Sequence, residues 1–254
     1  KHLNLLLLFY IVKYLVRHII LLYFCIYITM RSMIHEVLKR YWGYDSFRPL
    51  QEDIINSVLE GKDTLGLMPT GGGKSITFQV PALVTEGTAI VITPLISLMK
   101  DQVDHLRDLN IKATYVHSGM SKRETNIALE NCIFGNYKFL YVSPERLSSE
   151  MFLEKFKQMC ISMIVVDEAH CISQWGYDFR PAYVNIAEIR KIFPSAPILA
   201  LTATATPEVV KDIQNKLLFK KENVFKKSFA RKNIAYVVGA DAHIGPQFLF
   251  FGSM

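Results

Sequence analysis

Met68-Pro69-Thr70-Gly71-Gly72-Gly73-Lys74-Ser75 follows a short apolar run and precedes a segment with helical periodicity. Three consecutive glycines let backbone N–H groups curl around phosphates. The Lys74 ammonium can then reach the β and γ phosphates of a nucleotide, and the Ser75 hydroxyl can ligate Mg²⁺. Met68 stands where the general G-x-x-x-x-G-K-[ST] pattern has its first glycine. A glycine-rich turn without a ligand is the alternative, but the flanking strand and helix favour a phosphate-binding loop made of Thr70, Gly71, Gly72, Gly73, Lys74 and Ser75.

On both sides of this loop, from Met33 onward, short apolar runs rich in β-formers alternate with longer segments of helical period. This alternation is typical of βαβ units around a parallel sheet. We predict strands at 64–68, 89–93, 113–116, 139–143, 163–167 and 198–202. We predict helices at 97–109, 121–134, 183–192 and 207–217, the last with Thr206 as its N-cap. The chain is therefore predicted to be a doubly wound α/β protein, with a parallel sheet flanked by helices on both faces and ligands beyond the carboxyl ends of the strands.

A second apolar run, Ile164-Val165-Val166, ends in the adjacent acids Asp167 and Glu168. A carboxylate at such a strand end can hold Mg²⁺ through its water shell, and the next one can orient and deprotonate an attacking water. Taken alone, Asp-Glu at a strand end is usually a solvated turn. Combined with the phosphate loop it indicates an NTPase, with Lys74, Asp167 and Glu168 as candidate catalytic residues and Ser75 and Asp167 as candidate Mg²⁺ ligands.

Several further motifs occur in one order along the chain. They are Trp42–Gln51, Thr93–Gln102, Ser143–Leu147, the D-E-A-H box at 167–170, the aromatic-rich Cys171–Pro181 and Thr202–Thr206. In residues, order and spacing they resemble the RecQ family of superfamily 2 helicases, over roughly Met33 to Val238. The resemblance implies a RecA-like P-loop NTPase domain, the first motor domain of an ATP-dependent DNA helicase whose full-length members unwind DNA in the 3′ to 5′ direction.

The resemblance also implies roles for individual residues. Tyr44 and Arg48 would sandwich adenine while the Gln51 amide pairs with its edge, whereas Phe47 is expected to pack in the core. Three residues of the aromatic-rich loop would sense single-stranded DNA, whose bases stack on aromatic faces; they are Trp175, Phe179 and Arg180. The remaining candidates for DNA binding and coupling are Ser97, Thr202 and Thr204. Tyr177 stands where family members commonly have His, so no role is assigned to it.

The implied ligands are ATP, Mg²⁺ and DNA, both single-stranded and partly duplex. In the family, zinc belongs to a C-terminal part that does not fit after Val238 here, and a second motor domain supplies the arginines that complete the ATP site. We therefore also consider a nucleotide- and DNA-binding fragment without motor activity. The expected domains are 33–238 as the RecA-like domain and 239–254 as an unplaced tail, interpreted as a truncation or frameshift.

Residues 1–32 form an apolar leader in which Lys13 and Arg17 interrupt the apolar run. Three interpretations remain open: a membrane anchor, an interfacial helix, or translated upstream sequence ahead of a start at Met30 or Met33. The last is favoured, with no confident membrane partner and a cytoplasmic location. The net charge of +6 is ordinary for such an enzyme, and the four scattered cysteines lack the C-x-x-C spacing of a zinc or redox site.

Overall fold

The computed structural model describes residues 13–14, 16–18, 29–176 and 178–226, together with the backbone of 236–241 and 245–250. Most of the apolar leader, and Tyr177, lie outside the described residues. Among those that are described, no helix combines the length and apolar character needed to cross a membrane.

Seven parallel strands form the central sheet, in the order β3-β4-β2-β5-β6-β1-β7. They are β1 (Thr64–Leu67), β2 (Thr88–Ile92), β3 (Ala113–Val116), β4 (Phe139–Val142), β5 (Ile161–Val166), β6 (Ile198–Thr202) and β7 (Val224–Lys226). Every residue of β1, β2, β4 and β6 is buried. Strands covered on both faces read as continuous apolar runs, which is why the sequence predicted six of them. The short, exposed β7 has no such run, and the sequence did not predict it.

Eight α-helices lie within the described part of residues 29–226. They are α1 (described over 29–42), α2 (Gln51–Leu59), α3 (Ile76–Val84), α4 (Ile96–Asp108), α5 (Lys122–Phe134), α6 (Glu150–Phe156), α7 (Ile186–Ile192) and α8 (Pro207–Lys216). Apolar residues of α2, α3 and α4 pack on one face of the sheet, and those of α5 to α8 pack on the other. The predicted α/β class with helices on both faces is confirmed.

The starts of two helices were predicted correctly because each begins at a polar capping residue. Ser121 caps α5 in a capping box, in which its hydroxyl accepts from the Glu124 N–H and the Glu124 carboxylate accepts from the Ser121 N–H. Thr206 caps α8 as predicted, by accepting from the Val209 N–H. The predicted helix 183–192 is wrong in its first turn, because Pro181–Asn185 forms a 3₁₀ turn before α7 begins.

Beyond the central sheet, β8 (Tyr236–Asp241) and β9 (Gly245–Phe250) pair in antiparallel fashion. The boundary predicted at 238 falls within β8. The apolar run 248–251, which the sequence did not place, supplies the last three residues of β9.

Candidate nucleotide-binding and hydrolysis site

Three predicted motifs meet because their strands are neighbours. Strands β5, β6 and β1 are adjacent in the sheet and parallel, so their carboxyl ends share one edge. The phosphate loop follows β1, the acids Asp167 and Glu168 follow β5, and Thr202 ends β6. Crevices at this edge of open α/β sheets are where ligands bind.

The backbone of the phosphate loop requires glycine at each of its three glycine positions. Gly71 and Gly73 have φ angles of 76° and 78°, a region that side chains with a Cβ rarely adopt. At Gly72 a Cβ would lie 2.8 Å from the Pro69 carbonyl oxygen. The loop then leads into α3 through Ser75, so its N–H groups are presented at a helix N-terminus, where anions are favoured.

A cavity of about 170 Å³ is lined by all three predicted catalytic side chains. Its lining includes Thr70, Gly71, Lys74, Ser75, Asp167 and Glu168. The Ser75 hydroxyl and the Asp167 carboxylate supply the hard oxygen donors that Mg²⁺ prefers, so these residues fit the ion. Burial, and next the neighbouring Glu168, raise the pKa of Asp167, and a positive charge placed here would stabilise its carboxylate form.

Glu168 lies at the centre of the charged groups. Its backbone adopts a left-handed conformation with φ 47° and ψ 48°, an uncommon choice for a residue other than glycine. Its two carboxylate oxygens reach Lys74 Nζ at 3.2 Å and His170 Nδ1 at 3.3 Å. The hydrogen bond from His170 and then the charge of Lys74 hold the pKa of Glu168 below its usual range, although burial opposes them.

His170 joins the D-E-A-H box to the end of β6. Its Nδ1 lies 2.9 Å from the Thr202 hydroxyl, and that hydroxyl lies 3.1 Å from the Thr204 carbonyl oxygen. A carbonyl can only accept, so the hydroxyl donates to Thr204 and Nδ1–H donates to Thr202. The Glu168 carboxylate, another acceptor beside Nδ1, favours the same tautomer. The predicted residues Thr202 and Thr204 are thus linked to Glu168 through the imidazole of His170.

Tyr183 is a contributor that the sequence analysis missed. This fully buried residue donates its hydroxyl to the Asp167 carbonyl oxygen at 3.0 Å. It lies in the 3₁₀ turn that replaces the first turn of the predicted helix. This hydrogen bond joins two segments that are 16 residues apart in sequence. The only sign of it in the sequence is the Tyr residue itself, within an otherwise helical pattern.

The predicted adenine residues line a second cavity, of about 300 Å³, next to the phosphate loop. Tyr44, Arg48 and Gln51 all contribute to its wall, and Tyr44 is 53% exposed. The Gln51 amide accepts from the Arg48 N–H at 2.8 Å and donates to the Gly73 carbonyl at 3.0 Å. Arg48 itself donates to the Gly71 carbonyl at 2.9 Å. The adenine motif is therefore connected directly to the phosphate loop, while Phe47 packs in the core beside His35, as expected.

Gln102 is a further residue that the sequence analysis did not single out. It ends the motif Thr93–Gln102, and its side chain lines both cavities and lies within 3.5 Å of Gln79 and Tyr141. The long helix α4 turns this residue inward, whereas Ser97 near its start is exposed. His105, one turn further along α4, also lines the adenine-side cavity and was not singled out as a nucleotide contact.

The aromatic-rich loop is exposed at its tip and anchored at its base. Trp175 is 79% exposed. At the base, the buried Ser173 donates to Asp212 of α8 at 2.6 Å, and Lys216 of α8 donates to the Ile172 carbonyl at 3.0 Å. The Lys216 ammonium also lies 5.7 Å from the centre of the Phe179 ring.

Arg180 sits deeper than the tip of the loop. Its guanidinium donates to the Pro94 carbonyl at 3.4 Å and contacts Asp178 at 3.5 Å. Phe179 and Arg180 are therefore partly buried residues that other groups already contact, and Trp175 alone of the three predicted DNA sensors projects into solvent. The exposure of Trp175 shows that it is not a core residue.

The family model described as "DEAD/DEAH box helicase" matches residues 48–213. This match covers the phosphate loop, both acids and the end of β6. The chain belongs to the DEAD/DEAH box helicase family. Its matching region shares 44–47% identity with curated RecQ helicases over about four-fifths of the chain.

Two of these curated relatives of the DEAD/DEAH helicase illustrate the match. "ATP-dependent DNA helicase RecQ" of Bacillus subtilis (strain 168) is 47% identical over 211 residues, which are 81% of this chain and 36% of that protein. The protein of the same name from Pasteurella multocida (strain Pm70) is 44% identical, over 83% of this chain and 33% of that protein. The chain spans about a third of the length of these relatives.

Solved structures show the same fold at low sequence identity. The helicase domain of Pyrococcus furiosus Hef is 22% identical with a TM-score of 0.55, covering 74% of this chain and 40% of that one. A hypothetical ATP-dependent RNA helicase from Sulfolobus tokodaii is 21% identical with a TM-score of 0.57, covering 75% of this chain and 56% of that one. These structures confirm the RecA-like architecture of the DEAD/DEAH helicase.

Proposed function

We propose that this chain supplies the ATP-binding motor domain of a RecQ-type, ATP-dependent DNA helicase that moves 3′ to 5′ and acts in the cytoplasm. The observation that carries the proposal is the meeting of the phosphate loop, the paired acids and the adenine motif at one sheet edge, with an exposed aromatic loop directly after the acids. The RecQ names of the relatives support DNA as the polymer.

ATP would lie across both cavities, because the Gln51–Gly73 and Arg48–Gly71 hydrogen bonds join their walls. Tyr44 and Arg48 would hold the adenine ring, and Thr70 to Ser75 would hold the phosphates. Ser75 and Asp167 would hold Mg²⁺, which neutralises charge on the phosphates when bound.

Lys74 and Glu168 exchange partners during the reaction. Their ion pair is only partly buried, with exposed side-chain fractions of 17% and 29%, so phosphates can compete for the ammonium. Once Lys74 turns to the phosphates, Glu168 keeps only the His170 contact among its charged partners described above. Its freed oxygen then orients the attacking water and accepts a proton from it.

DNA would act on the site through the aromatic-rich loop. Bases of a single strand would stack on Trp175 without sequence preference. Movement of the loop would reach Glu168 through His170, which precedes the loop and contacts both Glu168 and Thr202. Ser97, Phe179, Arg180 and Thr204 complete the proposed DNA-binding and coupling set.

A second candidate is a nucleotide- and DNA-binding unit without motor activity. Lys74 is the only lysine or arginine among the described residues that line the phosphate-side cavity. Family members complete this cavity with arginines from a second motor domain. The isolated chain is therefore proposed to bind ATP more readily than to hydrolyse it.

The proposal is tested by titrating the full chain with ATP and with GTP, in the presence and absence of Mg²⁺. We expect Mg²⁺-dependent binding that favours ATP and is about ten- to a hundredfold weaker in Lys74→Ala, since one charged hydrogen bond contributes about 1.5–3 kcal/mol. Gln51→Ala should lose the preference for ATP over GTP. Lys62→Ala, which changes an exposed lysine in a turn far from the loop, is the matched control. Equal binding by the Lys74→Ala variant and the unaltered chain would contradict the proposal.

A further inference from the structure

A compact group of three potential metal ligands lies behind the hydrolytic acid. His170, Cys171 and Asp178 each offer one ligand atom, and these atoms all lie within 4.8 Å of one another. Cys171 Sγ is 3.9 Å from His170 Nε2 and 3.5 Å from Asp178 Oδ2. None of the three is needed to bind ATP or Mg²⁺ at the phosphate loop.

The ring of His170 turns Nε2 towards this group. Nδ1–H is directed at Thr202 and Glu168, as described above, and Nε2 lies on the Cys171 side of the ring. Histidines that ligate metals commonly donate their other N–H to a carboxylate or hydroxyl in this way. The orienting contacts of a metal-bound imidazole are therefore already in place.

We propose that His170 Nε2, Cys171 Sγ and Asp178 form a regulatory site for a thiophilic divalent cation, with Zn²⁺ as the best-matched ion. One nitrogen, one sulfur and one carboxylate oxygen are the ligand types that Zn²⁺ takes, with water completing a tetrahedron. Tetrahedral bond lengths place sulfur and its neighbouring ligand atoms about 3.5 Å apart. The Cys171–Asp178 distance already matches this value, and the Cys171–His170 distance needs to shorten by only about 0.4 Å.

Binding requires each ligand atom to exchange its present contacts for the metal. The Cys171 thiol and His170 Nε2 give up any proton they carry to solvent as the bonds to the metal form, with no change of oxidation state. Asp178 turns from Arg180, whose guanidinium is 3.5 Å away, to the metal. That contact is longer than the 2.7–2.9 Å typical of charge-assisted hydrogen bonds, so it is easily given up. Asp178 is about half exposed, which opens a route for the ion from solvent.

An occupied site would join the two ends of the coupling path. His170 contacts Glu168 and Thr202, while Asp178 lies three residues after Trp175 in the aromatic-rich loop. A metal that ties them together would hold the loop and slow DNA-stimulated turnover. This consequence rests on the proposed function, but binding of the ion does not.

Co²⁺ is the probe that tests the site, because a cobalt–thiolate bond gives a charge-transfer absorption that oxygen ligands do not. Co²⁺ bound at Ser75 and Asp167 therefore stays silent in this band. The reduced full chain, in excess Mg²⁺, should show the band at a stoichiometry of one ion per chain, and Zn²⁺ should displace it. Cys171→Ser should abolish the band, whereas Cys160→Ser, which changes an exposed cysteine, should retain it.

Asp178→Asn provides a test that keeps the Cys171 thiol in the chain. We expect it to weaken Zn²⁺ binding by about tenfold or more, since even outer partners of metal ligands contribute about ten- to a hundredfold. A band that persists in Cys171→Ser, a band lost in Cys160→Ser, or Zn²⁺ affinity unchanged in Asp178→Asn would each overturn the site. The measurement uses neither nucleotide nor DNA, so failure of the proposed helicase function would leave its result intact.

Discussion

The ion pair between Lys74 and Glu168 places the proposed phosphate-binding cation and the proposed water-activating carboxylate in direct contact at 3.2 Å. Each group compensates the charge of the other, which lowers the free-energy cost of keeping both charges in a partly buried cavity. Asp167 accepts a hydrogen bond from the Glu168 N–H at 3.0 Å but forms no ion pair among the described residues, and burial raises its pKa. The site thus has one paired and one poorly compensated carboxylate, and the second is where Mg²⁺ would contribute most.

Replacing Trp175 by Ala should separate DNA binding from stability. The side chain is 79% exposed, so its removal should leave Tm nearly unchanged, whereas truncating a buried Trp costs about 3–5 kcal/mol. Affinity of the full chain for single-stranded DNA should fall by about 1–3 kcal/mol per lost base stack. Fluorescence polarisation with labelled DNA, alongside thermal unfolding and ATP titration, measures all three.

Phe134→Ala is the matched control, since this side chain is equally exposed and lies at the end of α5, outside the proposed loop. It should leave DNA affinity unchanged. A large fall in Tm for Trp175→Ala, or an equal loss of DNA affinity in both variants, would remove Trp175 from the DNA-binding set.

Sequence predicted the residues that lie directly after strands and inside recognisable motifs, such as Lys74 and Glu168. It did not predict partners that meet only through the fold. Tyr183 donates a hydrogen bond to the Asp167 carbonyl, and Gln102, at the end of the motif Thr93–Gln102, lines both cavities. In both cases the chemistry is visible in the residue type, but the partner is fixed by helix rotation and packing.

At the scale of elements, the same contrast holds for boundaries. Starts with a polar cap, such as Ser121 and Thr206, were predicted because the capping hydrogen bond is local. The start of α7 was placed too early, since Pro181 and the contact made by Tyr183 favour a 3₁₀ turn that periodicity cannot distinguish from a helix. Strand β7 was missed because the exposed edge of a sheet needs no apolar run.

Asp63 joins several elements at the sheet edge opposite the site. Its buried carboxylate pairs with the buried Arg190 of α7 at 3.0 Å. It also accepts from the backbone N–H groups of Ile198 at the start of β6 and of Lys220 after α8, both at 2.9 Å. One carboxylate therefore holds the amino end of β6, helix α7 and the segment after α8 against the start of β1.

Asp63→Ala should destabilise the chain by about 3–5 kcal/mol, because it leaves a buried guanidinium without its partner and two backbone donors unsatisfied. Urea unfolding measures the loss. Asp45→Ala, which breaks a well-exposed pair with Lys39, is the control and should cost less than about 1 kcal/mol. ATP affinity of the folded Asp63→Ala fraction should be retained, since the site lies at the other end of the strands. A loss of stability similar to that of Asp45→Ala would show that Asp63 does not hold these elements together.

At the scale of the whole molecule, we expect the functional domain to begin within α1. Ile34 and Leu38 of this helix are fully buried against α2 and α3, and Arg31 pairs with Glu52 at 3.0 Å. A chain that begins at Met30 keeps all three contacts. We expect it to remain monodisperse and to bind ATP as tightly as the full chain.

A chain that begins at Met33 loses the Arg31 pair and residues 29–32 of α1, but keeps the buried Ile34 and Leu38. It should bind ATP with a modestly lower Tm, since an exposed ion pair contributes at most about 1 kcal/mol. Size-exclusion chromatography, thermal unfolding and ATP titration compare the three lengths. Aggregation of the Met30 form, with ATP binding confined to the full chain, would show that residues 1–29 belong to the functional unit.

The isolated chain should bind ATP and Mg²⁺ but hydrolyse ATP slowly and fail to separate DNA strands. Lys74 is the only lysine or arginine among the described residues lining the phosphate-side cavity, so charge that develops on the phosphates during transfer has little stabilisation. Removing an arginine finger typically lowers the rate of phosphoryl transfer by about 10³- to 10⁵-fold. The expected rate is lower than that of a full-length RecQ relative by about this factor, with no unwinding of a forked duplex. The measurement pairs steady-state phosphate release with a strand-separation assay, and Glu168→Gln serves as the background for contaminating ATPase. Robust unwinding by the purified chain would show that its own residues suffice for the complete motor.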